Sequence, residues 1–281
     1  MDSLVFAAVL LAAAAHAGWN AAIKRGLDPL VTTVLIAIGA GVVALPIAVW
    51  LGLPAVAARP WVVASVIVHL GYFAGLIEAY RAGDMSQVYP IARGAAPLLT
   101  ALVSTAWLGE QLGGLGWVGL LCLVGGVMML SLHGGGDLAR LDRRAVGFAL
   151  FTALTVCAYT VIDGIGVRAA GDAPAYTATA FLGNAVIMAL YGLARRGSKL
   201  LAGLSRAWVT GLAGGALQFA SYGIALWAMT VAPIAVVAAL RETSVLFGAL
   251  IAVVVLREPL RALRVAAALL IVVGLVMIKV H

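Results

Sequence analysis

Residues 93–112 read RGAAPLLTALVSTAWLGEQL, and residues 241–260 read RETSVLFGALIAVVVLREPL. Superposed at a shift of 148 residues without a gap, the two stretches and their continuations to Met129 and Met277 share eight quoted identities. These are Arg93/Arg241, Leu98/Leu246, Leu102/Leu250, Leu108/Leu256, Glu110/Glu258, Leu112/Leu260, Gly126/Gly274 and Met129/Met277. Leucine matches come cheaply in so apolar a composition. An arginine and a glutamate matched at the same 17-residue separation do not, because only 10% of the chain is charged. The chain repeats itself, and the repeated unit is an apolar run with an arginine inside it.

Working outward, 64% of the 281 residues are hydrophobic, and the 18 Lys+Arg and 11 Asp+Glu are too few to coat a globule in water. A soluble domain carries roughly 25% charged residues. The chain therefore belongs in a bilayer. The net charge of +7 does not indicate nucleic acid. Its basic residues stand singly or in pairs between apolar runs, a pattern that orients helices in a membrane. Cys122 and Cys157 lie inside apolar runs, so neither a disulfide framework nor a metal site is expected. No stretch alternates in the manner of a β-barrel strand. Ala15-His16-Ala17 resembles a signal-peptide cleavage site, but Asp2 precedes the apolar run and Lys24-Arg25 follow it, the reverse of a signal peptide. An uncleaved first helix is expected.

A spanning helix needs about 20 apolar residues. The chain predicts ten, at 3–23, 28–51, 60–81, 85–108, 112–132, 143–167, 173–194, 206–230, 232–256 and 260–279. The breaks fall at Asp28-Pro29, Arg59-Pro60, Gly109-Glu110, Ala173-Pro174 and Glu258-Pro259. The fold class is all-α integral membrane: two five-helix repeats, 1–132 and 143–281, forming one structural unit through the short linker His133-Gly134-Gly135-Gly136-Asp137. Five is odd, so the second repeat enters from the opposite face, and inverted repeats enclose a central site in many transporters. Loops on one side receive 13 basic residues (Lys24, Arg25, Arg81, Arg140, Arg143, Arg144, Arg195, Arg196, Lys199, Arg206, Arg257, Arg261, Arg264), against Arg59, Arg168 and Lys279 on the other. The positive-inside rule places the first side in the cytoplasm and both termini outside.

Charge near the bilayer centre costs roughly 2.5–3.5 kcal/mol per residue on insertion scales. Arg93 and Arg241 each fall about 12–14 Å into their spans, near the midplane. Glu242 is adjacent to Arg241. An ion pair of Glu242 with Arg93 across the pseudo-twofold accounts for two of the three charges and leaves one arginine uncompensated, in a cavity suited to a carboxylate or phosphate. Pro90 and Pro97 predict a kinked fourth helix that also carries Tyr89. Trp19, Tyr72 and Tyr222 sit deep enough to line a cavity for flat apolar groups, or simply to pack. His16 and His69 are either hydrogen-bonded packing residues or proton carriers. Asn20, Asn184 and Gln218 either bridge helices or meet substrate. Asp163 reads as solvated near the outer end of the sixth helix, and Glu78 as a local partner of Arg81. Gly71 and Gly75 form a face for close helix packing. His133-Gly134-Gly135-Gly136 looks like an esterase oxyanion loop, but no G-x-S-x-G, H-E-x-x-H or Cys/His ligand set accompanies it, so no enzyme, cofactor or metal is expected.

The whole chain resembles the drug/metabolite transporter superfamily, in particular its ten-helix EamA-type exporters. The resemblance rests on the five-plus-five pattern, on Trp19-Asn20 in helix 1, and on the endings Trp107-Leu108-Gly109-Glu110 and Val255-Leu256-Arg257-Glu258. Gly125, Gly126 and Gly274 also fit, while Arg257 departs from the family's L-G-E. The chain is most similar to bacterial amino-acid exporters, including the aromatic type. The resemblance implies alternating access through a cavity between the repeats and export of amino acids across the inner membrane; the alternative is efflux of drugs or other metabolites, with or without protons. Related small multidrug pumps carry a glutamate in their first helix, where this chain has His16 and no carboxylate. A monomer with a small-molecule substrate, in contact with lipid and no nucleic acid, is the expected working form.

Overall fold

The computed structural model describes residues 1–23, 28–82, 85–132, 143–197, 200, 207–254 and 262–280; the side chains of 19–23, 29, 79–82, 85–91, 131–132, 145 and 252 stand outside that description. Its helices are α1 (Ser3–Ile23), α2 (Pro29–Leu51), α3 (Arg59–Ala82), α4 (Met85–Trp107), α5 (Gly114–Leu132), α6 (Arg143–Ala170), α7 (Ala173–Arg196), α8 (Trp208–Val231), α9 (Ile234–Arg241), α10 (Ser244–Val254) and α11 (Ala262–Val280). A short 3₁₀ turn, Val56–Ala58, precedes α3. Ten membrane segments result, because α9 and α10 are two halves of the expected ninth span. Seven segments among the described residues are long and apolar enough to cross a membrane, and Ser3–Gly18 and Gly114–Leu130 are shorter apolar helices.

The second helix of each repeat is delimited by the same chemistry. Asp28 accepts hydrogen bonds from the amides of Leu30 (3.0 Å) and Val31 (3.3 Å), and Asp172 accepts one from Ala175 (2.9 Å). Each carboxylate satisfies orphan donors of a first turn that opens with proline. Each helix ends at a glycine with positive φ, Gly52 at 76° and Gly197 at 56°, a conformation in which a Cβ is strained.

The packing has the exchange symmetry of an inverted repeat. α3 lies on α6 and α8 on α1; α4 lies on α6 and the ninth span on α1. α5 pairs with α11 and α2 with α7, each helix meeting its own repeat mate. With no aqueous hydrophobic drive between helices in lipid, close approach of small residues carries this packing. A Cβ on Gly274 would come 2.6 Å from the Gly119 carbonyl oxygen, and one on Gly126 2.8 Å from that of Ala267. The Gly71/Gly75 face likewise seats α3 on α6, where a Cβ on Gly75 would meet the Phe151 ring at 2.7 Å. Trp50 and Trp107 are each 84% exposed on the outer surface, as side chains of an interfacial aromatic belt are.

The sixth helix runs on to Ala170 and is followed by Gly171 (φ 68°), within about three residues of the expected boundary. One expectation is corrected. The ninth span is broken, not continuous: the amides of Thr243 and Val245 reach back three residues to the carbonyls of Leu240 and Glu242, and the Thr243 hydroxyl donates to Leu240 O at 2.7 Å. A hydroxyl that competes for a helix carbonyl and a tightened turn mid-span are both ways of bending a helix. The fourth helix, with its two prolines, stays a single α-helix.

Candidate substrate-binding site

The break in the ninth span places Arg241 and Glu242 at the centre of the molecule, opposite Arg93 of α4. Arg93 Nε lies 2.9 Å from Glu242 Oε2, and Arg93 Nη2 donates to Ser244 Oγ at 3.4 Å. Both partners of this ion pair are nearly sealed, at 10% and 6% side-chain exposure. Arg241 takes a different partner. Its guanidinium carbon stands 4.7 Å from the centroid of the Tyr222 ring, a cation–π contact, and among the described residues no carboxylate forms an ion pair with it. Arg93, Arg241 and Glu242 share the wall of a small pocket with Thr100, Tyr159 and Thr160.

Behind Tyr222 lies a residue whose placement differs from expectation. Asp163 is 0% exposed and accepts hydrogen bonds from Tyr222 Oη at 2.6 Å and Tyr176 Oη at 2.9 Å. It is not solvated at a helix end. It lies about two turns before the end of α6 at Ala170, and tyrosines from two neighbouring helices cover it.

Aromatic side chains line up beside these charges. His69 stacks on Tyr159 with centroids 4.1 Å apart and lies 6.0 Å from Tyr222; Tyr72 packs edge-on against Tyr159 at 5.5 Å. Phe181 of α7 closes the row at 6.1 Å from Tyr222. His69 Nδ1 is held 2.9 Å from Ser65 O, so this ring is both hydrogen-bonded and part of the aromatic wall. His16, half-buried on α1, lies within electrostatic reach of Arg93 and Arg241. Gln218 is half-buried one turn before Tyr222 on α8. Asn184 is buried on α7.

Arg93, Arg241, Glu242, Tyr222, Tyr72 and His69 are thus brought together, with His16 close by. The side chains of Trp19, Asn20, Tyr89 and Arg81 lie outside the described residues, as do the linker from His133, the second repeat's ending Val255–Glu258, and Lys24, Arg25, Arg140, Lys199, Arg206 and Arg261. Glu78 pairs with Arg195 of α7 at 3.0 Å. The expectation missed Asp163 and, as a wall residue, Tyr159. The signal available was the Gly171-Asp172 break, which sets the true end of α6 and so the depth of both.

Glu110, the repeat-matched acid, anchors the start of α9. Its oxygens accept from the amides of Ile234 (2.9 Å) and Ala235 (3.3 Å) and from Arg168 Nη2 (2.8 Å). Arg168 in turn holds the carbonyls of Met229 (2.8 Å) and Ala232 (3.0 Å). A carboxylate at a helix N-terminus is favoured by the dipole and by the unpaired amides. The half-helix that carries Arg241 is therefore fixed at its far end.

The EamA-like transporter family model matches residues 3–132 and 143–280, one copy in each half. The chain belongs to the EamA-like transporter family. It is a multi-pass membrane protein of the drug/metabolite-transporter type, and members of this family are transporters, not enzymes. A crystal structure 19% identical in sequence superposes on it with a TM-score of 0.77 over 99% of this chain and 97% of that one, which shows the shared fold. No curated protein matches the sequence.

Proposed function

We propose that this EamA-family chain exports amino acids, aromatic ones among them, across the bacterial inner membrane by alternating access. The observation that carries the reading is Arg241. It stands in the pocket wall at a break in a spanning helix, with its charge set against an aromatic face and no carboxylate among the described residues bound to it. A fixed guanidinium of this kind matches a substrate carboxylate bidentately. Tyr72, Tyr222 and His69 would flank the side chain, Arg93 and Glu242 would hold the frame, and His16, Gln218, Trp19, Asn20 and Tyr89 would complete the path.

The basic loops support an orientation with Lys24, Arg25, Arg195 and Arg196 in the cytoplasm and both termini in the periplasm. A two-repeat chain encloses its own pathway, which supports a monomer. The aromatic wall also favours a second reading, efflux of other flat organic molecules. Tracer flux in proteoliposomes with tryptophan, threonine, glutamate, lysine and a quaternary ammonium dye separates the two. Amino-acid flux with tryptophan leading is expected. Dye flux without amino-acid flux would replace the first reading with the second.

A further inference from the structure

Asp163 is not part of the pocket wall, yet burying an ionisable residue at this depth is costly unless it serves something. One side chain stands between it and Arg241. Tyr222 Oη donates to Asp163 Oδ2 at 2.6 Å, and the centroid of the same ring lies 4.7 Å from the Arg241 guanidinium carbon.

The hydroxyl bond is what orients that ring. The ring's other aromatic neighbours, His69, Tyr159 and Phe181, meet it edge-on with centroids 6.0, 6.1 and 6.1 Å away. Contacts of that kind hold a ring's place without a short directional bond. The bond to Asp163 is both short and directional, and a hydroxyl that donates to a carboxylate at this distance is held about twice as strongly as one on a neutral acceptor. It also draws the hydroxyl proton towards Asp163, which leaves more electron density on the ring whose face attracts the cation.

Asp163 is itself fixed from its other side. Tyr176 Oη donates to Oδ1 at 2.9 Å, and Gly166, one turn along α6, admits that hydroxyl where a Cβ would collide with it. A fixed carboxylate of α6 thus fixes a ring of α8, and the ring faces a guanidinium of α9. Arginine has much rotamer freedom to lose on binding. Holding its head in place before a ligand arrives removes that cost from the binding step.

We propose that Asp163 is a positioning residue for substrate: through Tyr222 it holds the Arg241 guanidinium in the attitude that receives a carboxylate. The inference rests on the reading of Arg241 as the carboxylate's partner. Asp163 touches no substrate in this scheme, so its loss acts on recognition of the carboxylate and not of the side chain.

The test compares tryptophan with tryptamine, which has the same ring and amine without the carboxylate, by calorimetric binding to the full chain in detergent. Wild type should prefer tryptophan, and Arg241→Ala should lose the preference. Asp163→Leu, which has no acceptor, and Tyr222→Phe, which keeps the ring and drops the hydroxyl bond, should each lower the preference by about tenfold. The double variant should lower it no further, since both changes cut one link. A general loss of structure would weaken both ligands alike and leave the ratio where it was. A ratio unchanged in either variant, or penalties that add in the double variant, overturns the proposal; where Asp163→Leu does not fold, Tyr222→Phe decides alone. Should wild type show no preference, or Arg241→Ala keep it, the reading of Arg241 has failed. The ligand-free protein then judges the link: the Arg241 Nε proton resonance, identified by its loss in Arg241→Ala, should be shifted by the ring beneath it and move back in Asp163→Leu and Tyr222→Phe. A resonance that stays in place in both overturns the proposal.

Discussion

α4 and the ninth span are copies of one sequence unit, and they have come to opposite uses. Both place an arginine at the centre of the bilayer. In the ninth span the next residue is Glu242; at the matching place in α4 it is Gly94, packed against Met128 of α5. The molecule thus holds two central arginines and one adjacent acid, and the acid reaches across to Arg93 of the other copy, not to its own neighbour. Arg93 becomes half of a sealed ion pair, while Arg241 is left to an aromatic face in the pocket wall. The lesson is that symmetry in an inverted repeat supplies two equivalent positions, and a single departure from it gives the two arginines different partners.

That division can be broken deliberately. Arg93→Ala leaves Glu242 buried without its cation and should cost about 3–5 kcal/mol of stability, read as a large fall in the unfolding midpoint in detergent. Replacing both partners by apolar residues, Arg93→Met with Glu242→Leu, should recover most of that loss, since an apolar pair of similar volume is no worse than a buried salt bridge. Recovery would show Arg93 to be a structural residue; a double variant as unstable as the single would not. A smaller effect is expected at the far end of α9. Glu110→Ala removes the acceptor for two amides and for Arg168 and should cost about 1–2 kcal/mol, measured the same way. The least is expected at the break itself, where Thr243→Val removes one hydroxyl bond to Leu240 O and should cost about 1 kcal/mol. If Thr243→Val straightened the span, Arg241 would leave the pocket wall and tracer flux would fall far more than stability.

The apolar periodicity and the repeat made ten spans, their inversion and the central arginines legible before any coordinates, because length, polarity and sequence matching depend on local composition alone. The break at Glu242–Thr243 was not legible. No proline stands at it; it coincides with a threonine hydroxyl competing for a carbonyl and with an acid committed to a residue 149 positions away. Asp163 is hidden for a related reason: the hydroxyls that meet it belong to Tyr176 and Tyr222 on neighbouring helices, the latter 59 positions away. Partners distant in sequence decide both cases, and no window of sequence contains them.

The account turns on Arg241 meeting the substrate while Arg93 holds the frame. The most direct test is tracer tryptophan uptake by proteoliposomes containing equal amounts of folded wild type or Arg241→Ala. The account predicts flux in wild type and none in Arg241→Ala, with the variant's unfolding midpoint close to the parent's. Flux through Arg241→Ala at the wild-type rate would contradict it.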